Sequence, residues 1–187
     1  QRFGIQGFPT IKMFPSGAKS DSNAESYDGA RDSGSIVSWA LEKKAQYKPA
    51  PKVSQLINPA VFDETCAKQR GVCFIAFFPH IYDSSASERN SFIETFQELA
   101  KSHRTSPVNF LWAQGGDHYE LEEAFTLGSG YPALVAVSVQ KEKFAPFRGA
   151  FTKRGIDLFI KGIMAGKESL FNLHPSTIGK VKKVKEW

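Results

Sequence analysis

Gly7-Phe8-Pro9-Thr10-Ile11 and Gly130-Tyr131-Pro132-Ala133-Leu134 are two copies of one pattern: glycine, aromatic residue, proline, small residue and aliphatic residue. Each copy opens an apolar run, and proline favours the first residue of a strand because it cannot donate to the ladder. A second matched pair follows, Tyr27-Asp28-Gly29-Ala30 and Phe147-Arg148-Gly149-Ala150. Self-similarity over this length predicts that one supersecondary unit occurs twice, as strand, turn, short strand, glycine and helix.

The segment between the two copies contains a predicted domain boundary. Tyr47-Lys48-Pro49-Ala50-Pro51-Lys52 holds two prolines spaced by one residue, a pattern that favours extended backbone and forbids a helix. We therefore predict a linker over residues 47–52 between a first part, residues 1–46, and a second domain, residues 53–166. A basic C-terminal tail, residues 167–187, follows.

The second part contains the alternation of elements that is typical of an α/β domain. Its predicted order is β α β α β α β β α, and its strands, such as Cys73–Phe78, are apolar without alternation. Strands of this kind are buried on both faces, as in a parallel sheet covered by helices. With a proline before the fourth strand, this order resembles a thioredoxin domain. The predicted fold is therefore thioredoxin-like, one complete domain preceded by the C-terminal half of another, which residues 1–46 contain.

Composition excludes several classes of protein. Hydrophobic residues make up 41% of the 187, so a packed core is expected and global disorder is not. No apolar run reaches the roughly 18 residues that span a bilayer. The net charge is +5, and four lysines lie together near the C-terminus, at Lys180, Lys182, Lys183 and Lys185. Such a run can bind an acidic partner, nucleic acid or a membrane surface, but we interpret it as a solvated tail because no aromatic stripe interleaves the lysines.

Residues of both parts resemble the protein disulfide isomerase family with domain order a-a-b. The stretches Phe3–Phe14 and Tyr27–Arg31 look like the C-terminal half of a catalytic a domain. The second part resembles the non-catalytic b domain. The matching stretches are Cys66 to Cys73, Phe78-Pro79-His80-Ile81, Glu88-Arg89-Asn90-Ser91-Phe92 and Leu127-Gly128-Ser129-Gly130-Tyr131-Pro132-Ala133.

The resemblance implies thiol–disulfide exchange on unfolded or misfolded secretory proteins in the lumen of the endoplasmic reticulum. A low-pKa thiolate of a Cys-x-x-Cys pair carries out this reaction in the family. We expect that pair upstream of Gln1, so that this chain alone is inactive while the full-length protein is an isomerase. In the second domain the equivalent position, after Phe78, reads Pro79-His80-Ile81-Tyr82 and holds no thiol.

The resemblance also assigns roles to four residues of the first part. Phe8, Pro9 and Thr10 match the loop that binds substrate backbone beside the catalytic sulfur, and Pro9 and Pro132 match the family's cis-prolines, the second with a structural role only. The alternative for Pro9 is a cis turn that stabilises the fold. Arg31 matches an arginine that helps a buried cysteine ionise, since a nearby cation favours the thiolate; the alternative is an exposed arginine at a helix start. Phe151 occupies the position of the second domain that is equivalent to Arg31.

The two cysteines, Cys66 and Cys73, have six residues between them and so are not a Cys-x-x-Cys pair. They form either a structural disulfide, as an oxidising compartment favours, or a pair of buried free thiols, and a regulatory redox role is a third alternative. The four histidines are scattered, so we expect no metal site, and no cofactor is implied.

Two functional hypotheses follow from these residues. The first is part of an isomerase, with substrate-binding and scaffold parts here and the b domain available to protein partners. The second is a redox-inactive thioredoxin-like chaperone or a binding subunit of a larger assembly. A calsequestrin-like ion binder is disfavoured, because such binders need acidic surfaces. Neither hypothesis includes nucleic acid.

Overall fold

The computed structural model describes residues 3–15, 21–128 and 130–187. The chain divides into two compact units, Gln1–Pro49 (unit 1) and Ala50–Trp187 (unit 2). The division lies inside the proline-containing segment 47–52, where the backbone has no regular structure apart from a turn.

Unit 1 is small and has little core. Strand β1 (Lys12–Met13) pairs antiparallel with strand β2 (Glu25–Ser26), and helix α1 (Ser33–Gln46) follows. Asp32 caps this helix, since its Oδ1 accepts a hydrogen bond of 2.9 Å from the Ser35 amide. None of the described side chains of unit 1 is fully buried, and α1 buries no residue. The helix therefore owes little of its stability to packing.

Unit 2 is built on one mixed sheet with the strand order β3-β5-β4-β6-β7-β8. Its strands are β3 (Val53–Gln55), β4 (Val72–Phe78), β5 (Val108–Gln114), β6 (Ala133–Ser138), β7 (Lys143–Pro146) and β8 (Phe171–Asn172). The first three run parallel, and β6, β7 and β8 each run antiparallel to the neighbour before them. The predicted order of the second domain is confirmed, with β8 as an additional strand.

The helices of unit 2 cover both faces of this sheet. They are α2 (Pro59–Phe62), which continues as a π-helical turn over Asp63–Ala67, α3 (Ala86–Ser102), α4 (Tyr119–Ala124) and α5 (Lys153–Met164). Helix α2 starts where the Asn58-Pro59 pair predicts, with the Asn58 side chain accepting from the Val61 amide.

Strand β4 shows why the apolar runs lack alternation. Phe74, Ala76 and Phe78 face one buried cluster, under α3 and α5, and the intervening residues face a second cluster on the other side of the sheet. Successive side chains of a strand point to opposite faces, so a strand covered on both sides is apolar throughout. Complete burial of each large side chain stabilises the fold by about 1.5–3 kcal/mol.

The repeated glycines have a common physical cause. A Cβ added to Gly29 would lie 2.7 Å from the Tyr27 ring, and one added to Gly149 would lie 2.7 Å from the Phe147 ring. Each aromatic ring therefore lies directly over the glycine two residues later. The same rings also contact the following helix, Tyr27 against Trp39 at 5.0 Å and Phe147 against Phe159 at 5.1 Å between centroids.

The C-terminal segment, residues 167–187, is not a solvated tail, and that interpretation is corrected. Strand β8 extends the sheet, a 3₁₀ helix follows over Pro175–Lys180, and Leu173 and Val181 are 5% exposed within the core. The reason is that apolar residues alternate with the charges, and they bury while the lysine head groups stay in water. The run of lysines alone does not reveal that Leu173 and Val181 hold the segment in the core.

Candidate functional site

The Phe8-Pro9-Thr10 loop of unit 1 is open. The Phe8 side chain is 91% exposed and precedes the cis bond to Pro9. Thr10 Oγ1 donates a hydrogen bond of 2.5 Å to the Gly7 carbonyl, which folds the loop back on itself just before β1. An exposed aromatic ring is the kind of surface that an unfolded polypeptide can contact.

The equivalent loop of unit 2 is closed by its own aromatic residue. Tyr131 precedes the second cis bond, to Pro132, and its hydroxyl donates a hydrogen bond of 2.5 Å to Glu122. Its ring lies so close to Gly115 that a Cβ there would be 2.5 Å from the ring carbons. The ring and hydroxyl that could contact a substrate are therefore used internally.

Glu122, which sequence reasoning did not single out, is the polar centre of this closed loop. It is 2% exposed, and its carboxylate accepts from the amides of Gly116, at 3.0 and 3.2 Å, and of His118, at 3.3 Å, besides the Tyr131 hydroxyl. Burial and this carboxylate raise the pKa of Tyr131 well above its usual range, so its hydroxyl remains a neutral donor. The only sequence signal was a glutamate inside the apolar pattern of a short helix.

The position after β4, where the family's thiols would stand, contains aromatic residues. The His80 ring stacks on Tyr82 at 4.9 Å, and His80 Nδ1 accepts from the Tyr82 amide at 3.2 Å. Neither side chain is a redox-active group. The residues after β4, where the sequence resemblance places the redox pair, thus include no nucleophile for disulfide exchange in unit 2.

Cys66 and Cys73 form a disulfide, with their Cα atoms 5.3 Å apart. Both are buried, and the bond ties the π-helical turn to the start of β4. Phe78, at the other end of the strand, lies about 17 Å away at the usual rise of roughly 3.3 Å per residue. The disulfide is therefore remote from the position after Phe78, and the chain contains no free cysteine.

Arg31 and Phe151 hold equivalent places before a helix and have opposite surroundings. Arg31 is exposed, one residue before the N-cap of α1. Phe151 stands one residue before Thr152, the N-cap of α5, and packs against the rings of Phe92 and Phe96 at 5.6 and 6.4 Å. The position that holds an exposed arginine in unit 1 thus holds a packed aromatic ring in unit 2.

The described residues form neither a metal site nor a membrane-spanning helix. Residues 3–15, 21–128 and 130–187 contain no cluster of three or more histidine, cysteine, aspartate or glutamate residues that could hold a metal ion. Within the same ranges, no helix combines the length and hydropathy that crossing a bilayer requires.

A family model and several curated relatives point to the same protein family. A family model described as "PDIA6-like, C-terminal thioredoxin-like domain" matches residues 42–168. The protein disulfide-isomerase A6 homolog of Drosophila melanogaster is 38% identical over 88% of this chain and 38% of its own length. The homolog of Caenorhabditis elegans is 36% identical over 100% of this chain and 42% of its own length, and human protein disulfide-isomerase A6 is 37% identical over 90% and 37%.

The chain thus spans about two fifths of the length of these curated relatives. Among solved structures, the bb fragment of ERp72 has a TM-score of 0.50 at 12% identity, over 90% of this chain and 66% of that one, a likeness of fold alone. The family model covers well over half of the chain and includes strands β3 to β7 of unit 2. The chain therefore belongs to the family of the PDIA6-like, C-terminal thioredoxin-like domain.

Proposed function

We propose that the chain is part of a protein disulfide isomerase that catalyses thiol–disulfide exchange during the folding of secretory proteins in the lumen of the endoplasmic reticulum. The observation that carries the proposal is the contrast between the two proline loops, open at Phe8 and closed at Tyr131. Unit 1 keeps the surface that a substrate needs, and unit 2 has converted the same surface into packing.

In this proposal the two units have different tasks. Phe8, Pro9 and Thr10 hold the substrate backbone, Arg31 assists ionisation of a cysteine, and the reacting thiols lie outside these 187 residues. Unit 2 is a scaffold that offers its surface to protein partners. Its disulfide supports the assignment to an oxidising compartment, where such bonds persist.

The test uses the full-length protein in two assays, reduction of insulin and oxidative refolding of a reduced, denatured model protein. Phe8→Ser should raise the KM for a disulfide-containing peptide several-fold and leave kcat nearly unchanged, because it removes binding without touching the reacting sulfurs. Phe171→Ser is the matched control, since that ring is 50% exposed but lies on β8 of unit 2. Equal effects of the two substitutions would remove the role of the loop.

Arg31 is tested by its effect on thiol ionisation rather than on binding. Arg31→Ala should slow reoxidation of the full-length enzyme and shift its pH–rate profile to higher pH, because a lost cation disfavours the thiolate. Arg31→Lys should restore most of the rate. An unchanged pH profile would show that Arg31 is only an exposed residue at a helix start.

A redox-inactive chaperone is the second candidate function, and the absence of a free thiol favours it. It predicts that the 187-residue chain suppresses aggregation of an unfolded protein as well as the full-length protein does. The isomerase proposal instead requires that refolding yields depend on cysteines outside the chain.

A further inference from the structure

The outer edge of strand β8 is the open end of the sheet of unit 2. Strand β8 stands last in the strand order, and among the described residues it pairs only with β7. The opposite end of the sheet is covered just after β3, where the Val184 amide of the C-terminal segment donates to the Ile57 carbonyl at 2.8 Å. An open edge presents backbone donors and acceptors that can pair with a further strand.

The register between β7 and β8 determines which backbone groups are already used. The Leu173 amide donates to the Glu142 carbonyl at 2.8 Å, and Phe171 lies opposite Phe144 two residues further along the ladder. Hydrogen-bonded pairs alternate along an antiparallel ladder, and the two residues of such a pair exchange both of their backbone hydrogen bonds. Both backbone groups of Phe171 are therefore directed at Phe144.

Three backbone groups of the edge point away from β7. The C=O and the N–H of one trans peptide unit point in opposite directions. The Leu170 carbonyl therefore points away from β7, as do the amide and the carbonyl of Asn172. None of the three has a hydrogen-bond partner in residues 3–15, 21–128 or 130–187, and both residues are exposed. An acceptor, a donor and an acceptor within three residues are what an extended polypeptide can pair with.

This edge lacks the features by which proteins usually protect an open strand. Lysine, proline and bulges block edge pairing, but Ser169-Leu170-Phe171-Asn172 contains neither a charge nor a proline. Leu170 is 51% exposed, and Leu158 on α5 is 58% exposed. Leu158 and Ser169 both line a groove of about 480 Å³ between α5 and the end of β7. A strand at this edge would thus find apolar surface beside its backbone partners.

The charges around the edge favour an acidic partner. Residues 141–172, from the start of the β7 region to the end of β8, contain seven lysines and arginines and three acidic residues. Two of these basic residues and one acidic residue are engaged in ion pairs, so five cations and two carboxylates remain. The Lys143 ammonium donates to Asn172 Oδ1 and so lies at the edge itself. A second copy of the chain would oppose the same positive excess, whereas a segment with carboxylates is attracted to it.

We propose that β8 binds an extended segment of a partner protein, in which apolar residues are flanked by carboxylates, as an additional strand of the sheet. The segment donates to the carbonyls of Leu170 and Asn172, accepts from the Asn172 amide, and places an apolar side chain against Leu170 and Leu158. Phe171 is not one of the binding groups, because its backbone pairs with β7 and its ring packs on Phe144 at 5.5 Å between centroids. In strand addition of this kind, main-chain hydrogen bonds give affinity and side chains give specificity.

The proposal gives a surface and a chemistry to the partner role that the proposed function assigns to unit 2, and it rests on that function in no other way. The experiment is a binding measurement on the 187-residue chain by fluorescence anisotropy. The probe is a fluorescein-labelled heptapeptide in which three valines lie between two pairs of glutamates. The assay involves no thiol chemistry, so its failure would leave the proposed exchange function intact.

Two control peptides separate backbone pairing from attraction between side chains. A peptide with the same side chains and N-methylated amides should bind at least roughly tenfold more weakly, because it lacks the two donors that pair with the carbonyls. A peptide with glutamines in place of the glutamates should bind several-fold more weakly at low salt, and this difference should shrink as salt is raised.

Two substitutions at one position test the outward amide of β8. Asn172→Pro removes that amide, which the pairing with β7 does not use, and should weaken binding by roughly fivefold or more. Asn172→Ala loses the same side chain but keeps the amide, and should weaken binding less than about twofold. The N-methylated peptide is tested on the unaltered chain and remains decisive if Asn172→Pro does not fold.

Amide hydrogen exchange, resolved by residue with nuclear magnetic resonance, locates the added strand. The amides of Phe171 and Leu173 should be protected in the free chain, since both donate to β7. The Asn172 amide should exchange rapidly in the free chain and roughly tenfold or more slowly with saturating peptide, because only the peptide supplies its acceptor.

Four results would overturn the proposal. The first is equal affinity for the plain and the N-methylated peptides, and the second is equal affinity for the glutamate and glutamine peptides. The third is an equal loss of binding in Asn172→Pro and Asn172→Ala. The fourth is protection of the Asn172 amide that rises with the concentration of the chain and needs no peptide, which would assign the edge to a second copy.

Discussion

Replacing both Cys66 and Cys73 with alanine should destabilise unit 2 without changing any exchange activity of the full-length protein. The two residues are 7 positions apart, and both are buried in the cluster that covers one face of the sheet. For so short a loop, the chain-entropy model gives a loss of about 2.4 kcal/mol from removing the cross-link. Each deleted buried sulfur adds about 1 kcal/mol from the methyl-sized cavity that it leaves.

The expected total is therefore about 4 kcal/mol, a shift of roughly 10–15 °C in the melting temperature of a unit of this size. The wild-type protein under reducing conditions keeps both sulfur atoms and loses only the cross-link, so its shift should be about 8 °C. Comparing oxidised, reduced and doubly substituted protein thus separates the contribution of the unfolded chain from that of packing.

Thermal unfolding followed by near-ultraviolet circular dichroism measures all three forms. A melting temperature of the double variant within about 3 °C of oxidised wild type would refute the reasoning. Rapid labelling of a cysteine in the native, unreduced protein would contradict it separately, because both side chains are buried and bonded. Insulin reduction by the full-length double variant should match wild type, since the disulfide lies at the far end of β4 from the position after Phe78.

Three further predictions concern packing and charge. Glu122→Ala should cost about 2–4 kcal/mol in urea unfolding, because it removes the acceptor of the buried His118 amide, of the exposed Gly116 amide and of the Tyr131 hydroxyl, whereas Tyr131→Phe should cost only about 1 kcal/mol. The hydrogen bond from Lys161, and to a smaller extent that from His103, lowers the pKa of Asp157 in the folded protein. The ionised carboxylate therefore stabilises the fold fully above the unfolded pKa of about 3.9, and this stabilisation is lost as the pH falls through the lower folded pKa. The stability difference between wild type and Asp157→Asn should accordingly shrink below about pH 4, and a constant difference would contradict this. Limited proteolysis should cleave within residues 1–46 before unit 2 is cut, because the described side chains there are all accessible.

The sequence predicted the sheet of unit 2 because its strands combine two independent signals. Runs such as Cys73–Phe78 are apolar on both faces, and the repeated proline and glycine motifs locate the later strands relative to them. Pattern and turn chemistry agree there, which is the condition for a reliable prediction. Strand β1 is the opposite case: the apolar run that follows Pro9 forms a strand only at Lys12–Met13, which has one short partner and no buried face.

The C-terminal segment and Glu122 escaped prediction for a shared reason. In both, the decisive contacts are long-range, from Val184 to Ile57 and from Lys182 to His118 in the segment, and from Tyr131 to Glu122 in the loop. No local periodicity signals such contacts, so the lysine-rich run was interpreted as solvated and Glu122 was not singled out. Only the tertiary fold brings a buried acceptor to each donor.

The two proline loops show how a repeated unit can keep its backbone while its surface changes use. Both units have a cis-proline in this loop, and further along each unit an aromatic ring lies over the glycine two residues later, Tyr27 over Gly29 and Phe147 over Gly149. The loops differ at the residue before the proline, since Phe8 has no hydroxyl and Tyr131 has one. They also differ in what surrounds them. In unit 2, Glu122 supplies a buried acceptor for the ring before the proline, and Phe151 fills the helix start with apolar contacts. The exposed Phe8 ring and the exposed Arg31 of unit 1 have no such internal partners among the described residues, as the proposed role of this loop in substrate binding requires.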